Sequence, residues 1–322
     1  MKRSLVFFFL VVLLTACSSP FAPVIVAPVD VPLIASPDEL PIQVRTELQA
    51  KKIGWLGSPV VIATNEVIGW PAAHPAPDSV VSLRFSSDGR YYVYISQPLV
   101  IDKSDLPMIG DDTVGVIDFE TGSNTVLLSR ANAFPDADLF YSATFAPDAQ
   151  TIIFVVYWEN SADLVRVNIE TRQIQRLNVD KNITNFGYPD ISVKGQIVVI
   201  CEKVTNNQPI SELCLLDENG KFVRYLTDEG YPWPGYGRFT PDGEWVVYES
   251  RYKLYKVRVD GSERQEIAPC ALGGPLLVTE NYVVTECLIS QEPTCQAVFV
   301  GNLDGREFWR LGYLEPLCME AK

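Results

Sequence analysis

Phe239-Thr240-Pro241-Asp242-Gly243, followed at once by Trp245-Val246-Val247-Tyr248, decides the fold. Proline, aspartate and glycine together set a tight turn, because proline fixes φ, aspartate bonds its own backbone and glycine accepts positive φ. The aromatic and β-branched run behind the turn reads as a strand. The same grammar recurs outward in both directions. Phe85-Ser86-Ser87-Asp88-Gly89 precedes Tyr91 to Ile95, and Phe145-Ala146-Pro147-Asp148 precedes Ile152 to Tyr157. Ile191 to Gly195 precedes Ile197 to Cys201, and Leu277 to Asn281 precedes Tyr282 to Glu286. The last two keep the strands but lack Pro-Asp-Gly.

Each unit continues alike. A third strand follows, as in Leu164 to Asn168 or Leu254 to Val259. A turn comes next (Glu120-Thr121-Gly122, Glu170-Thr171-Arg172, Glu218-Asn219-Gly220, Asp260-Gly261-Ser262, Asp304-Gly305), then a fourth strand such as Gln173 to Leu177 or Phe222 to Leu226. The turn positions Asp88, Asp148, Lys194, Asp242 and Glu280 lie 60, 46, 48 and 38 residues apart. Four short strands per such unit define an all-β propeller of four-stranded blades over residues 42–322. Five blades are visible. Strand-like Gly57 to Trp70 would begin a sixth completed by the C-terminus, so six blades are expected, with five or seven as alternatives. The segment with a trace of helical period is Val44 to Lys52.

The turns at 85–89, 145–148 and 239–243 resemble the repeat of TolB-type propellers, over roughly residues 79 to 313. The resemblance implies the fold. It does not imply one activity, because binding proteins, peptidase gating domains and some lyases share such repeats.

The N-terminus carries an address. Lys2 and Arg3 precede ten apolar residues, Leu5 to Leu14, and a small-residue exit, the parts of a secretory signal over residues 1–16. The run is half the roughly 20 residues a spanning helix needs. Leu14-Thr15-Ala16-Cys17 resembles the lipobox of bacterial lipoproteins, which implies a diacylglyceryl thioether (with palmitate among its acyl chains) on Cys17 as the mature N-terminus. The membrane partner is therefore expected through this lipid, in an extracytoplasmic location on the cell or outer membrane. Residues 17–41 hold Pro20, Pro23, Pro28, Pro32, Pro37 and Pro41, a composition that excludes helix and central strand and reads as a linker.

The 322 residues are 47% hydrophobic and 11% aromatic, which excludes intrinsic disorder. The net charge of −14, or −16 once Lys2 and Arg3 leave with the signal, repels phosphates and argues against nucleic acid. With His74 the sole histidine, in a Pro/Ala stretch, histidine triads and multi-histidine metal sites are disfavoured. No nucleophile elbow, phosphate loop or zincin helix occurs, so neither metal nor cofactor is expected. The acids Asp102, Asp105, Asp111 and Asp112 in the loop Ser96 to Thr113 form an acidic lip without the pattern of a calcium loop.

Cys201, Cys214, Cys270, Cys287, Cys295 and Cys318 are even in number in an exported chain, so disulfides are expected. Cys201 and Cys214 lie in adjacent strands of one unit, and Cys287 and Cys295 take the same relative places later. The blade pattern thus predicts Cys201–Cys214 and Cys287–Cys295. Cys270–Cys318 follows by elimination.

In a propeller the loops from fourth to next first strand, and from second to third, share one face. That face collects Phe134, Asp136, Asp138, Phe140, Tyr141 and Phe186, together with Tyr188, Asp190, Tyr231, Trp233 and Tyr236. Aromatics stiffened by proline in Gly230 to Gly237 are good contact surfaces, so Tyr188, Asp190, Tyr231, Trp233 and Tyr236 are the candidate ligand-binding residues. Packing between blades is the competing use of such rings. The expected function is a monomeric, non-catalytic binding or scaffold module for a protein, peptide or glycan. The alternative is a polysaccharide hydrolase or lyase acting from the same face.

Overall fold

The computed structural model describes residues 40–50 and 80–313, apart from 87–89, 102–106, 119, 160, 178, 180–182, 206–207, 229–234, 273 and 292–293. Helix α1 (Ile42–Ala50) comes first. Blade 1 opens with β1 (Val80–Phe85) and β2 (Tyr91–Ser96), carries an inserted hairpin of β3 (Leu99–Ile101) and β4 (Pro107–Ile109), and closes with β5 (Thr113–Asp118) and β6 (Ser123–Ser129). A single-turn helix, α2 (Arg130–Ala133), leads to blade 2: β7 (Leu139–Phe145), β8 (Thr151–Trp158), β9 (Ser161–Asn168) and β10 (Ile174–Arg176). Blade 3 is β11 (Thr184–Ile191), β12 (Ile197–Thr205), β13 (Gln208–Leu216) and β14 (Phe222–Tyr225). Blade 4 is β15 (Arg238–Phe239), β16 (Trp245–Ser250), β17 (Lys253–Arg258) and β18 (Gln265–Ala268). Blade 5 is β19 (Pro275–Val278), β20 (Tyr282–Gln291), β21 (Thr294–Asn302) and β22 (Phe308–Tyr313). Each blade is an antiparallel meander.

The described residues thus make five blades rather than the expected six. Gly57 to Trp70, the segment assigned to a sixth, lies outside them, as do the signal, Cys17, the linker up to residue 39, and His74.

The second strands are apolar at nearly every position over their first halves because both faces are largely buried there. Along β8, Ile152, Phe154 and Val156 pack with Val93, Val114 and Phe140 against blade 1. The intervening Ile153 and Val155 pack with Ile191, Ile197 and Val199 against blade 3. The alternation repeats between blades 3 and 4 and between blades 4 and 5. Period-two geometry sends neighbouring residues to opposite faces, so one strand feeds two cores.

The turns carry the capping chemistry their residues announce. Asp148 Oδ1 accepts from the backbone N–H of Gln150 (2.9 Å) and Thr151 (2.8 Å), and Asp242 Oδ1 accepts from Glu244 N–H (2.9 Å). A hydroxyl two residues before the turn position caps the same strand opening in four units, with or without Asp-Gly: Ser86 Oγ accepts from Tyr91 N–H, Ser192 Oγ from Gln196 N–H, Thr240 Oγ1 from Trp245 N–H and, one place nearer, Thr279 Oγ1 from Tyr282 N–H. The acids Asp111 and Asp112 of the expected lip are likewise structural. Asp111 Oδ1 caps α2 through Ala131 N–H, and buried Asp112 accepts from Phe140 N–H (2.7 Å).

Helix α1 joins the ring at blade 5. Leu40 and Val44 are buried, and the Glu47 carboxylate accepts from Thr279 Oγ1 (2.7 Å) and from the Asn281 side chain in the β19–β20 turn. No helix among the described residues is long and apolar enough to cross a membrane.

Cys201 is bonded to Cys214 across β12 and β13. The other two expected pairs are corrected: Cys270 is bonded to Cys287. Cys270 does sit between blades, but Leu272 N–H donates to Glu286 O (2.8 Å), which lays that linker beside Cys287. Cys287 faces Ala297 across β21, and a register shift separates it from the Ser290–Cys295 step. Cys318 lies outside the described residues. The bond therefore staples blade 4 to blade 5 instead of closing a hairpin.

Peptide mapping of the unreduced protein should recover Cys201–Cys214 and Cys270–Cys287; a Cys287–Cys295 peptide would contradict the staple. Packing makes a second prediction. A methyl group at Gly115 would lie 2.2 Å from the ring of buried Tyr94, whose hydroxyl donates to Asn124 (2.8 Å). Gly115→Ala should lower stability in urea unfolding by about 1–3 kcal/mol through overpacking.

Candidate functional site

The first strand of each blade lines the centre of the ring, and successive first strands touch. Aligning the units on Ser86, Ala146, Ser192, Thr240 and Thr279, whose backbone N–H groups all donate to the residue opening the second strand or just before it, gives a ring of equivalent positions two residues earlier. That ring is Arg84, Thr144, Asp190, Arg238 and Leu277. One level above lie Ser142, Tyr188 and Tyr236. Together Arg84, Ser142, Thr144, Tyr188, Asp190, Tyr236 and Arg238 line a narrow pocket. Its free volume is about 10 Å³, room for a single water.

Two wall residues hold strained backbone. Ser142 (φ 44°) and Tyr188 (φ 51°) occupy the left-handed region without being glycine, each at a register shift in its strand. Such strain persists where surrounding structure enforces it and concentrates at functional sites. Here the bulges turn side chains toward the axis.

The rings form a ladder across three blades. Tyr157 and Tyr141 meet edge to face with centroids 5.9 Å apart, as do Tyr141 and Tyr188 at 5.2 Å, while Tyr188 and Tyr236 lie tilted at 4.5 Å. The Tyr141 and Tyr188 hydroxyls are hydrogen-bonded. The Arg84 guanidinium caps the ladder 5.2 Å from the Tyr236 centroid.

Charge at the floor is mixed. Asp190 Oδ2 accepts from Phe239 N–H (2.8 Å). Burial pushes the Asp190 carboxyl above the usual range, opposed by Arg238, by that N–H and by Arg84. Burial, reinforced by the neighbouring Arg84 charge, lowers Arg238 to about 10, with Asp190 opposing. Arg238 therefore stays protonated at neutral pH. Burial raises Tyr141, Tyr157 and Tyr236, so these phenols remain neutral hydrogen-bonding groups. The site offers ring faces, hydroxyls, a carboxylate and cations, which is the equipment of recognition.

Of the sequence-derived candidates, Tyr188, Asp190 and Tyr236 converge here, while Tyr231 and Trp233 lie outside the described residues. Phe140 and Phe134 pack between blades with Phe154 and Trp158. Arg84 and Arg238 were missed. Their signal was the Arg-Phe pair repeated at 84–85 and 238–239, a cation in a strand otherwise reading as core.

No protein-family model matches the chain, and no curated protein matches it in sequence. Solved structures do share the fold. TolB from Acinetobacter baumannii superposes with a TM-score of 0.51 at 18% identity, over 73% of this chain and 54% of that one. The chain thus spans about half of that protein's length. A putative TolB from Agrobacterium tumefaciens gives 0.55 at 16% identity, over 75% and 83%. A chain of the nidogen/laminin complex gives 0.51 at 12%, over 74% and 81%. The fold is that of TolB-like propellers.

Beside the site, Gly235 N–H donates to Glu249 O, and Glu249 Oε1 accepts from Tyr252 N–H (2.8 Å) in a hairpin turn whose Arg251 and Tyr252 both have positive φ. Burial raises the Glu249 carboxyl to about 7, opposed by that N–H. Its proton is held more tightly in the folded chain than in the unfolded one. Its contribution is therefore full below about pH 4.5 and is lost as pH rises through 7. Glu249→Gln should flatten stability between pH 5 and 8 by up to about 3 kcal/mol, read as the difference in urea midpoints. A pH dependence equal to wild type would refute this.

Proposed function

We propose that the chain is an extracytoplasmic lipoprotein, anchored by a lipid on Cys17, whose propeller acts as a monomeric, non-catalytic binding or scaffold module for a protein, peptide or glycan. The observation that carries the reading is the central site: strained Ser142 and Tyr188 direct a tyrosine ladder, Asp190 and Arg238 onto one axis. Its free volume is too small to enclose a substrate, so recognition is of a tip or edge presented at the mouth; Tyr231 and Trp233, from the same proline-stiffened stretch of sequence as Tyr236, are proposed to take part. The two disulfides fit an oxidising compartment. The fold shared with TolB proteins and with a chain of a nidogen/laminin complex fits a binding or scaffold module. Acyl chains at roughly 0.8 kcal/mol per buried methylene would hold the body at the membrane without a spanning helix.

Capture of envelope partners by crosslinking and pull-down tests the site. The double variant Tyr231→Ala/Trp233→Ala should lose capture at least tenfold with its unfolding midpoint unchanged. Unaltered capture would overturn the reading. Turnover of an envelope polysaccharide by the wild type, lost in the same variant, would favour the hydrolase or lyase instead. Cys17→Ser should abolish palmitate labelling and release the protein from the membrane fraction; retention there would refute the anchor.

A further inference from the structure

Tyr91, Thr151, Trp245 and Tyr282 open their second strands, and Gln196, just before β12, is the equivalent residue of blade 3. In blades 1, 4 and 5 the residue is aromatic. Tyr91 packs on Phe145 of blade 2, with centroids 6.4 Å apart, and so closes the seam between blades 1 and 2. Trp245 lies under Lys256 Nζ (4.7 Å) and the Arg258 guanidinium (4.6 Å). Blade 2 has only Thr151. The seam between blades 3 and 4 is closed otherwise, by Gly243 against Ser192 and Val193 and by the Lys194–Glu244 ion pair. Between blades 2 and 3 a cleft of about 460 Å³ stays open, a ligand-sized space.

The floor of that cleft is equally out of pattern. Opposite Val93, Ile153, Val198, Val247 and Val284, the second-strand residues two places after those five, the third strands carry Val116, Arg166, Leu215, Lys256 and Val300. Val116, Leu215 and Val300 are buried core. Arg166 instead faces the cleft, and its Nε is buried without a hydrogen-bond partner among the described residues. Burial lowers the guanidinium's pKa, opposed by Glu218 and Asp148. These two carboxylates disfavour an anionic visitor. Blade 2 therefore has the cation but lacks the ring that blade 4 supplies from its own chain.

We propose that the cleft between blades 2 and 3 seats an aromatic side chain of a protein partner, stacked on Arg166 in the place that Trp245 holds over Lys256 and Arg258. Gln173 and Gln175 on the cleft wall offer amide partners to an indole N–H or phenol hydroxyl. The site is separate from the central pocket, so either can fail alone.

The probe is N-acetyl-tryptophanamide, read by saturation-transfer NMR on the purified full chain. Transfer to the indole protons should appear, fall at least threefold in Arg166→Ala, and vanish in Thr151→Trp, which fills the cleft from within. It should survive in Tyr231→Ala/Trp233→Ala. Thr151→Trp should also raise the melting temperature by a few degrees. Transfer absent from the wild type, or insensitive to both cleft substitutions, would overturn the proposal, as would displacement of the probe by N-acetyl-glutamate. If Thr151→Trp does not fold, Arg166→Met is the second test: unchanged transfer there would refute the stacking.

Discussion

Everything here depends on second strands that are buried on both faces. A blade is a twisted four-stranded sheet with two faces and no core of its own; it is stable because alternate residues of β8, β12 and β16 feed the seams on either side. The constraint explains the unbroken apolar runs, and it explains why a polar residue in such a run is informative. Burying a charge inside a seam is costly unless something compensates. Arg166 in one seam and Arg84, Asp190 and Arg238 at the axis are therefore departures that the repeat would not keep for packing alone.

The turns serve a different need. Each must reverse the chain in three or four residues and satisfy the backbone N–H groups it frees. Asp148 does so with a carboxylate, Ser192 and Thr279 with hydroxyls, the 240–245 turn with both Thr240 and Asp242, and Asp118, Asn168 and Asp217 repeat the device one hairpin later. Because several side chains perform one task, the motif drifts while the fold persists. At the axis the logic reverses: Ser142 and Tyr188 adopt left-handed backbone that no turn requires.

Two ties outside the strand ladders supplement the seams. Glu47 holds helix α1 to the first turn of blade 5, and Cys270–Cys287 crosses from the linker after blade 4 into the second strand of blade 5. Both act on blade 5.

By itself the sequence determined the four-stranded unit, its turns and the all-β class, because period-two burial and turn chemistry are local and leave their residues in plain order. It also pointed to Tyr188, Asp190 and Tyr236, since aromatics beside proline are rare enough to notice, although the loop expected at Tyr188 and Asp190 is the bulged first strand of blade 3. Tertiary structure decided what depends on which surfaces meet. Cys287 bonds to Cys270 because a linker hydrogen bond at Glu286 lays that segment alongside, a contact that no spacing encodes. Arg84 joins Tyr236 across 152 positions because the ring brings blades 1 and 4 to one axis. Thr151 and Arg166 read as ordinary strand residues; their meaning lies in the open cleft between blades 2 and 3, since a cavity is a property of two facing sheets and not of either strand alone.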